Sequence, residues 1–287
     1  MRILVFDSGL GGLTVYEQIA ASRASDELFY AADDAAFPYG ALAEQALVER
    51  VVAIVGELIA ALAPDLVVIA CNTASTLALG PLRARHPALP FVGTVPAIKP
   101  AAAITRSRLI SVLGTPGTVA RDYTQALARE YAAGCEVKLV GAPDLARLAE
   151  AHIKGLAVAD EAIAKEIAPC FVARKGRRTD VVVLACTHYP LLAERLAALA
   201  PWPVDYIDPA PAIARRVDHL LGPAEALAKR ADRLAPAIFT SGAPPSPALA
   251  EALKRFSLEV RTLPEMTAAL KPRSPTAASA RGLTRLA

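Results

Sequence analysis

Asp180-Val-Val-Val-Leu-Ala-Cys186-Thr-His-Tyr-Pro190 decides the reading of this chain, because the same design stands at Asp65-Leu-Val-Val-Ile-Ala-Cys71-Asn-Thr-Ala-Ser75. In each copy an aspartate opens a valine-rich apolar run, and the run ends on a cysteine followed by small polar residues. An uninterrupted apolar run bounded by turn formers is the pattern of a parallel strand buried on both faces. Ligands bind at the carboxyl ends of such strands. Each half of the chain therefore presents one thiol where chemistry is expected.

Working outward, the pattern preceding each copy also repeats. A strand at Arg2–Asp7 runs into Ser8-Gly-Leu-Gly-Gly12 and a helix from Leu13, while Arg108-Leu-Ile-Ser-Val-Leu113 runs into Gly114-Thr-Pro-Gly-Thr118 and another helix. A glycine-rich turn at a helix N-terminus suits an anion. The first turn nevertheless lacks the dinucleotide fingerprint, which would need glycine at Thr14, and no Gly-Lys-Ser/Thr follows it. A tight turn that needs glycine for steric reasons accounts for it equally well. The echo supports an internal duplication and an α/β fold.

Between these landmarks we expect a strand at 27–31 and a loop, Ala32-Asp-Asp-Ala-Ala-Phe-Pro-Tyr-Gly40, able to cover a site. A helix over 42–63 follows, with Leu47, Val51, Ile54, Leu58 and Leu62 on one face. Then come a helix from about 75 to 85, a short strand at Phe91-Val92, a strand at 136–140, helices spanning about 145–174 and a helix at 191–200. Pro201-Trp-Pro203 starts a strand at 204–207, followed by a helix at 210–221, a strand at 237–240 and a helix at 247–256. This last group finds no counterpart in the second half, so we assign it to the first. The division is 1–96 plus 205–265 for a discontinuous first domain, 97–204 for an inserted second, and 266–287 for a basic tail rich in Ser, Thr, Ala and Pro that reads as disordered.

Composition excludes several function classes. With 287 residues and 54% hydrophobic content, the chain can bury a large core. The net charge of +3 resides in the tail, where Lys271, Arg273, Arg281 and Arg285 meet no acid, leaving the rest one unit negative. That is no footprint for nucleic acid. No apolar run reaches the roughly 18 residues of a membrane span, and the N-terminus reads as a strand, not a leader. We expect a soluble cytoplasmic protein with reduced thiols. Two of the four cysteines, Cys135 at a strand start and Cys170 in a helix, read as small apolar residues.

Cys71 and Cys186 remain. Zinc would want four ligands, and Cys186-Thr-His188 supplies two at most. A redox pair would show Cys-x-x-Cys, which is absent. A Cys-His hydrolase could use Cys186 with His188, but it has no use for a second cysteine at the equivalent place. Proton exchange at a stereocentre does have such a use, because it is symmetric. One thiolate takes a proton from one face of a carbon while a thiol delivers one to the other. His188 can serve Cys186, and Asp7, at the end of the first strand, can serve Cys71. On spacing alone Asp7 reads equally as a turn or capping carboxylate.

Phe6-Asp-Ser-Gly-Leu-Gly-Gly-Leu-Thr-Val15, Phe37-Pro-Tyr-Gly40, Ala70-Cys-Asn-Thr-Ala-Ser75, Leu113-Gly-Thr-Pro-Gly-Thr-Val119, Ala185-Cys-Thr-His-Tyr-Pro190 and Phe239-Thr-Ser-Gly242 occur in this order. Together they resemble the glutamate racemases of the cofactor-independent aspartate/glutamate racemase superfamily. The resemblance implies two pseudo-symmetric α/β domains, mostly parallel sheets flanked by helices, with the substrate in the interdomain cleft and no cofactor or metal. It implies that Cys71 takes the α-proton from D-glutamate and Cys186 from L-glutamate, with Asp7 and His188 as helpers and Glu150 as an additional acid near the histidine. It implies substrate contacts from Ser8, Pro38, Tyr39, Gly40, Asn72, Thr73 and Thr187, with Thr115 and Thr118 also lining the site. The expected activity is interconversion of L- and D-glutamate, supplying D-glutamate for peptidoglycan. The alternatives are a racemase for aspartate or another acidic compound, and a glutamate-binding regulator without turnover. The sequence leaves open a homodimer and the regulation by a cell-wall precursor that some relatives show.

Overall fold

Strands without polar residues need a covered sheet on both faces, and two such sheets carry this fold. The computed structural model describes residues 1–224 and 234–265; the tail expected to be disordered lies outside them. The first half runs β1 (Arg2–Asp7), α1 (Leu13–Ser22), β2 (Glu27–Ala32), α2 (Glu44–Leu62), β3 (Leu66–Ile69), α3 (Asn72–Arg85) and β4 (Phe91–Gly93). After α4 (Ile98–Ile104), the second runs β5 (Leu109–Gly114), α5 (Pro116–Ala120), α6 (Asp122–Tyr131), β6 (Glu136–Gly141), α7 (Leu145–Ile153), α8 (Asp160–Ile167), a hairpin of β7 (Ala173–Arg174) and β8 (Arg177–Arg178), and β9 (Val181–Ala185). The described residues continue with α9 (Ala193–Leu199), β10 (Asp205–Ile207), α10 (Ala210–Leu221), β11 (Ala235–Phe239), α11 (Pro247–Arg255) and β12 (Leu258–Val260).

The strand orders are β12-β11-β2-β1-β3-β4 and β10-β9-β5-β6, with every pairing in both sheets parallel. Reversed, the second order is β6-β5-β9-β10, which matches β2-β1-β3-β4 strand for strand. The strand at 204–207 therefore has a counterpart in β4, and it pairs with β9, not with the first sheet. This corrects the assignment of the strand at 205–207 to the first half. We propose the two sheets as the cores of two domains divided after Ile207. The aspartates that open the repeated runs do equivalent work: Asp65 accepts the Arg2 N–H at the start of β1 (2.8 Å), and Asp180 accepts the N–H groups of Arg106 and Ser107 just ahead of β5 (2.7 and 2.8 Å).

Ile98 and Ala101 of α4 pack with Ile110, Val112, Val181 and Val183 of the second sheet, while Ile213, Ala214 and Val217 of α10 pack with Leu13, Val15 and Ile19 of the first half. The link after β4 thus covers the second sheet, and the helix after β10 returns to the first.

The helical span expected at 145–174 stops at a short turn, Ala168–Cys170, containing Pro169. The chain then forms the β7–β8 hairpin, whose turn places Lys175 and Gly176 at φ 50° and 73°, the paired positive values a two-residue hairpin favours. Helix α3 begins at Asn72, directly after Cys71, three residues before its expected start. Among the described residues no helix is long and apolar enough to cross a membrane.

Candidate active site

Parallel pairing aligns the ends of β1 and β3, so Asp7 and Cys71 emerge side by side, and β9 delivers Cys186 from the other half. Both cysteines are free thiols, each 6% exposed. They lie within electrostatic reach of one another.

On the first side, the Cys71 thiol donates to Ser8 Oγ at 3.6 Å. Asp7 is fully buried, and its Oδ2 accepts the N–H groups of Gly9 (3.2 Å) and Gly12 (3.0 Å). Oδ1 has no hydrogen-bond partner. One oxygen of Asp7 therefore fixes the glycine turn while the other stays unpartnered. Burial pushes its carboxyl up, against the pull of His188 and the turn amides. Burial, then the charge of Asp7, pushes the Cys71 thiol up to about 12, outweighing the Ala74 N–H and the Ser8 hydroxyl that favour its thiolate.

On the second side, Cys186 Sγ is 3.9 Å from His188 Nδ1, and His188 Nε2 is 3.0 Å from Glu150 Oε1. Glu150, on α7, is 4% exposed; Oε1 also accepts the Leu10 N–H at 2.6 Å, and Lys154 Nζ lies 2.8 Å from Oε2. Burial alone would raise the Glu150 carboxyl, but the hydrogen bond and charge of His188, then Lys154, hold it down at about 2. Burial likewise opposes charge on His188, yet its bonds to Cys186 and Glu150 and the field of Asp7 lift it well above the ordinary imidazole value.

The glycine turn explains how the halves come this close. A Cβ on Gly9 would stand 2.2 Å from Glu150 Oε1, and one on Gly11 would stand 2.3 Å from His188 Nδ1 and 2.6 Å from the His188 backbone nitrogen. The glycines provide a flat surface against His188, so the turn serves to pack the two halves together.

The expected substrate contacts fall around these groups. Ser8, Asn72, Thr73, Thr118 and Thr187 are each buried to within 5%. Neither side-chain amide atom of Asn72 has a partner, an arrangement that calls for a polar guest. Thr115 caps α5, its Oγ1 accepting the Thr118 N–H at 3.2 Å and lying 2.9 Å from Thr118 Oγ1. A cis peptide joins Phe37 to Pro38, and Gly40 sits against Thr115, where an added Cβ would lie at 3.9 Å. Tyr39 is buried with its hydroxyl donated to Asp33 Oδ2 (2.6 Å), a carboxylate that also holds Arg50 (2.6 Å twice) and Thr240 (2.5 Å). The Tyr39 hydroxyl is thus engaged within the protein.

Three contributors were not foreseen from sequence. Phe37 stacks near His188, ring centroids 5.2 Å apart. Lys154 carried a usable signal, four residues after Glu150 on one helix face. Arg121, which reaches from the second half to the Thr73 carbonyl at 3.1 Å, carried none.

The Asp/Glu/Hydantoin racemase family model matches residues 3–217. A glutamate racemase of Brucella anthropi is 58% identical over 221 residues, covering 77% of this chain and 80% of the relative. That of Rhizobium meliloti is 56% identical over 242 residues, covering 84% and 87%. Among solved structures, Escherichia coli glutamate racemase in complex with L-glutamate and the activator UDP-MurNAc-ala superposes with a TM-score of 0.82 at 40% identity, covering 91% of this chain and 97% of that one. The Aquifex pyrophilus enzyme gives 0.69 at 27% identity, covering 92% and 99%.

Proposed function

The chain belongs to the Asp/Glu/hydantoin racemase family, and from that premise we propose that it interconverts L- and D-glutamate by two-base proton transfer at the α-carbon. The observation that carries the mechanism is the pair of buried free thiols at the equivalent ends of β3 and β9, each with its own proton-handling neighbours. In the direction from L to D, Cys186 as thiolate takes the α-proton and becomes a thiol. The carbon then takes the proton of the Cys71 thiol on its opposite face, leaving Cys71 as thiolate. The reverse reaction exchanges the roles. Between turnovers a proton returns from the Cys186 side to the Cys71 side, with His188 and Asp7 as the groups placed to carry it.

The α-proton of an amino acid is very weakly acidic, so the developing carbanion needs fixed donors and little water. Asn72, Thr73 and the first turn of α3 offer a carboxylate the positive end of a 14-residue helix. Ser8, Thr187 and the Thr115–Thr118 pair surround the remaining polar groups, and apposition of the two halves excludes solvent. The E. coli relative holds L-glutamate, which supports glutamate as substrate here. The product, D-glutamate, is a peptidoglycan component, and we assign the enzyme to its supply in the cytoplasm.

The proposal is tested by incubating L-glutamate with the protein in deuterated water without added cofactor. D-glutamate carrying deuterium at the α-carbon should accumulate until the enantiomers are equal. Absence of α-deuterium in either enantiomer overturns the proposal. Faster exchange into aspartate under the same conditions would transfer the assignment to that substrate.

A further inference from the structure

Arg121 stands at the junction of α5 and α6 in the second half and points its guanidinium into the first. Nη1 donates to the carbonyl of Thr73, in the turn of α3 that directly follows Cys71. Its side chain is 14% exposed, yet its nearest carboxylate is Glu44 at the start of α2, 3.6 Å from Nε, with that glutamate 71% exposed. Nε itself is buried without a hydrogen-bond partner. An exposed carboxylate beyond hydrogen-bond length is screened by solvent and compensates a buried cation poorly. Cys71 lies in the field of this guanidinium.

Burying a cation with so little return needs a reason, and the proposed chemistry supplies one. Cys71 becomes an anion once per turnover in an environment that opposes the charge. The groups facing it are Asp7 at the end of β1, the Ser8 hydroxyl, Cys186 across the cleft, and Tyr30 and Tyr39. Asp7 and Cys186 repel a thiolate when they carry charge. Arg121 brings positive charge to the same place.

We propose that Arg121 is a positioning residue acting across the cleft: from its hydrogen bond to the first turn of α3 it holds a positive charge that favours the Cys71 thiolate when the halves are together. The proposal rests on the reading of Cys71 as one of the two bases. It makes the charge balance of the first thiol depend on a residue of the opposite half, as the second thiol depends on Leu10 of the glycine turn through Glu150.

The test compares wild type, Arg121→Met and Arg121→Lys in the full chain. Iodoacetamide, a neutral reagent that reports thiolate content, is reacted with each protein between pH 7 and 9, and alkylation of the Cys71 peptide is followed by mass spectrometry. Removing the charge should slow alkylation about 3- to 10-fold at every pH, the size of a half-unit to one-unit shift. Lysine should restore most of that rate while recovering only part of kcat, because a single ammonium cannot reproduce a guanidinium's fixed geometry. A purely structural role gives the opposite sign: a loosened cleft exposes Cys71 and speeds alkylation. Faster or unchanged alkylation in Arg121→Met overturns the proposal. The alkylation arm needs no turnover, so a wild type that fails to incorporate α-deuterium would sink the racemase reading while Arg121 is still judged on thiol reactivity.

Discussion

The two thiols stand at equivalent strand ends in very different company. Cys71 faces a buried carboxyl, a hydroxyl and helix N–H groups, and its proton is held by burial. Cys186 begins a line of charges, from His188 to Glu150 to Lys154, that reaches a half-buried ammonium at the protein edge. The duplication copied the backbone and not the chemistry. On one side the proton is retained by burial, and on the other the sulfur faces a histidine–carboxylate–ammonium line. Two-base exchange needs a proton-handling group on each face of the carbon, and the two halves supply them in different ways.

Removing either thiol breaks the comparison most severely. Cys71→Ala and Cys186→Ala should each lower racemisation by at least about 10³-fold, in the range that positioned acids and bases contribute, measured by polarimetry from both enantiomers. Because L- and D-glutamate have equal free energy, any variant must lose kcat/KM equally in both directions. The asymmetry of the site can appear only in kcat and KM taken separately. Full activity in either variant would exclude two-base catalysis.

The glycine turn touches both sides, and substitutions in it separate them. In Gly11→Ala the new methyl meets the His188 backbone nitrogen as well as its ring, so side-chain rotation cannot relieve the clash and the halves must move apart. A displacement of about 1 Å at reacting groups costs on the order of 10²-fold in rate, and we expect that loss in kcat. In Gly12→Ala the methyl meets Asp7 Cβ at 2.8 Å and Ala70 Cβ at 3.1 Å, within the first half alone. There the cost should fall on folding, about 1–3 kcal/mol, read as a lower Tm. Equal kcat losses without a Tm difference would show that the turn does not divide its work in this way.

What could be read in the sequence follows the same division between local and cross-cleft features. The repeated runs ending at Cys71 and Cys186 were legible because burial on both faces forces an apolar composition, and Cys186–His188 because two residues apart is a local relation. The strand at Asp205–Ile207 was read but placed with the wrong sheet, since an edge strand with partly exposed residues carries no mark of its partner. Glu150 against Leu10 and Arg121 against Thr73 depend on how the halves meet, which no periodicity encodes.

The smallest expected effect tests whether the charged line at Cys186 extends to its end. Lys154 is 37% exposed and Glu150 5%, so solvent limits the worth of the pair, and Glu150 keeps His188 and the Leu10 N–H when the lysine is lost. Lys154→Met should therefore lower kcat only about 2- to 5-fold. The sharper readout is the acid side of the pH profile. The folded carboxyl of Glu150 sits at about 2, below its ordinary value of 4.5. A depressed carboxyl contributes stability that is present above the unfolded value and lost as pH falls through the folded one. Without Lys154 the folded value moves up towards 4.5, so activity and Tm should begin to fall at a higher pH on acidification. The alkaline side, governed by the thiols and His188, should stay in place. An acid limb that does not move, with an alkaline limb that does, would mean that Lys154 acts on the thiol directly and that the line of charges is shorter than its geometry.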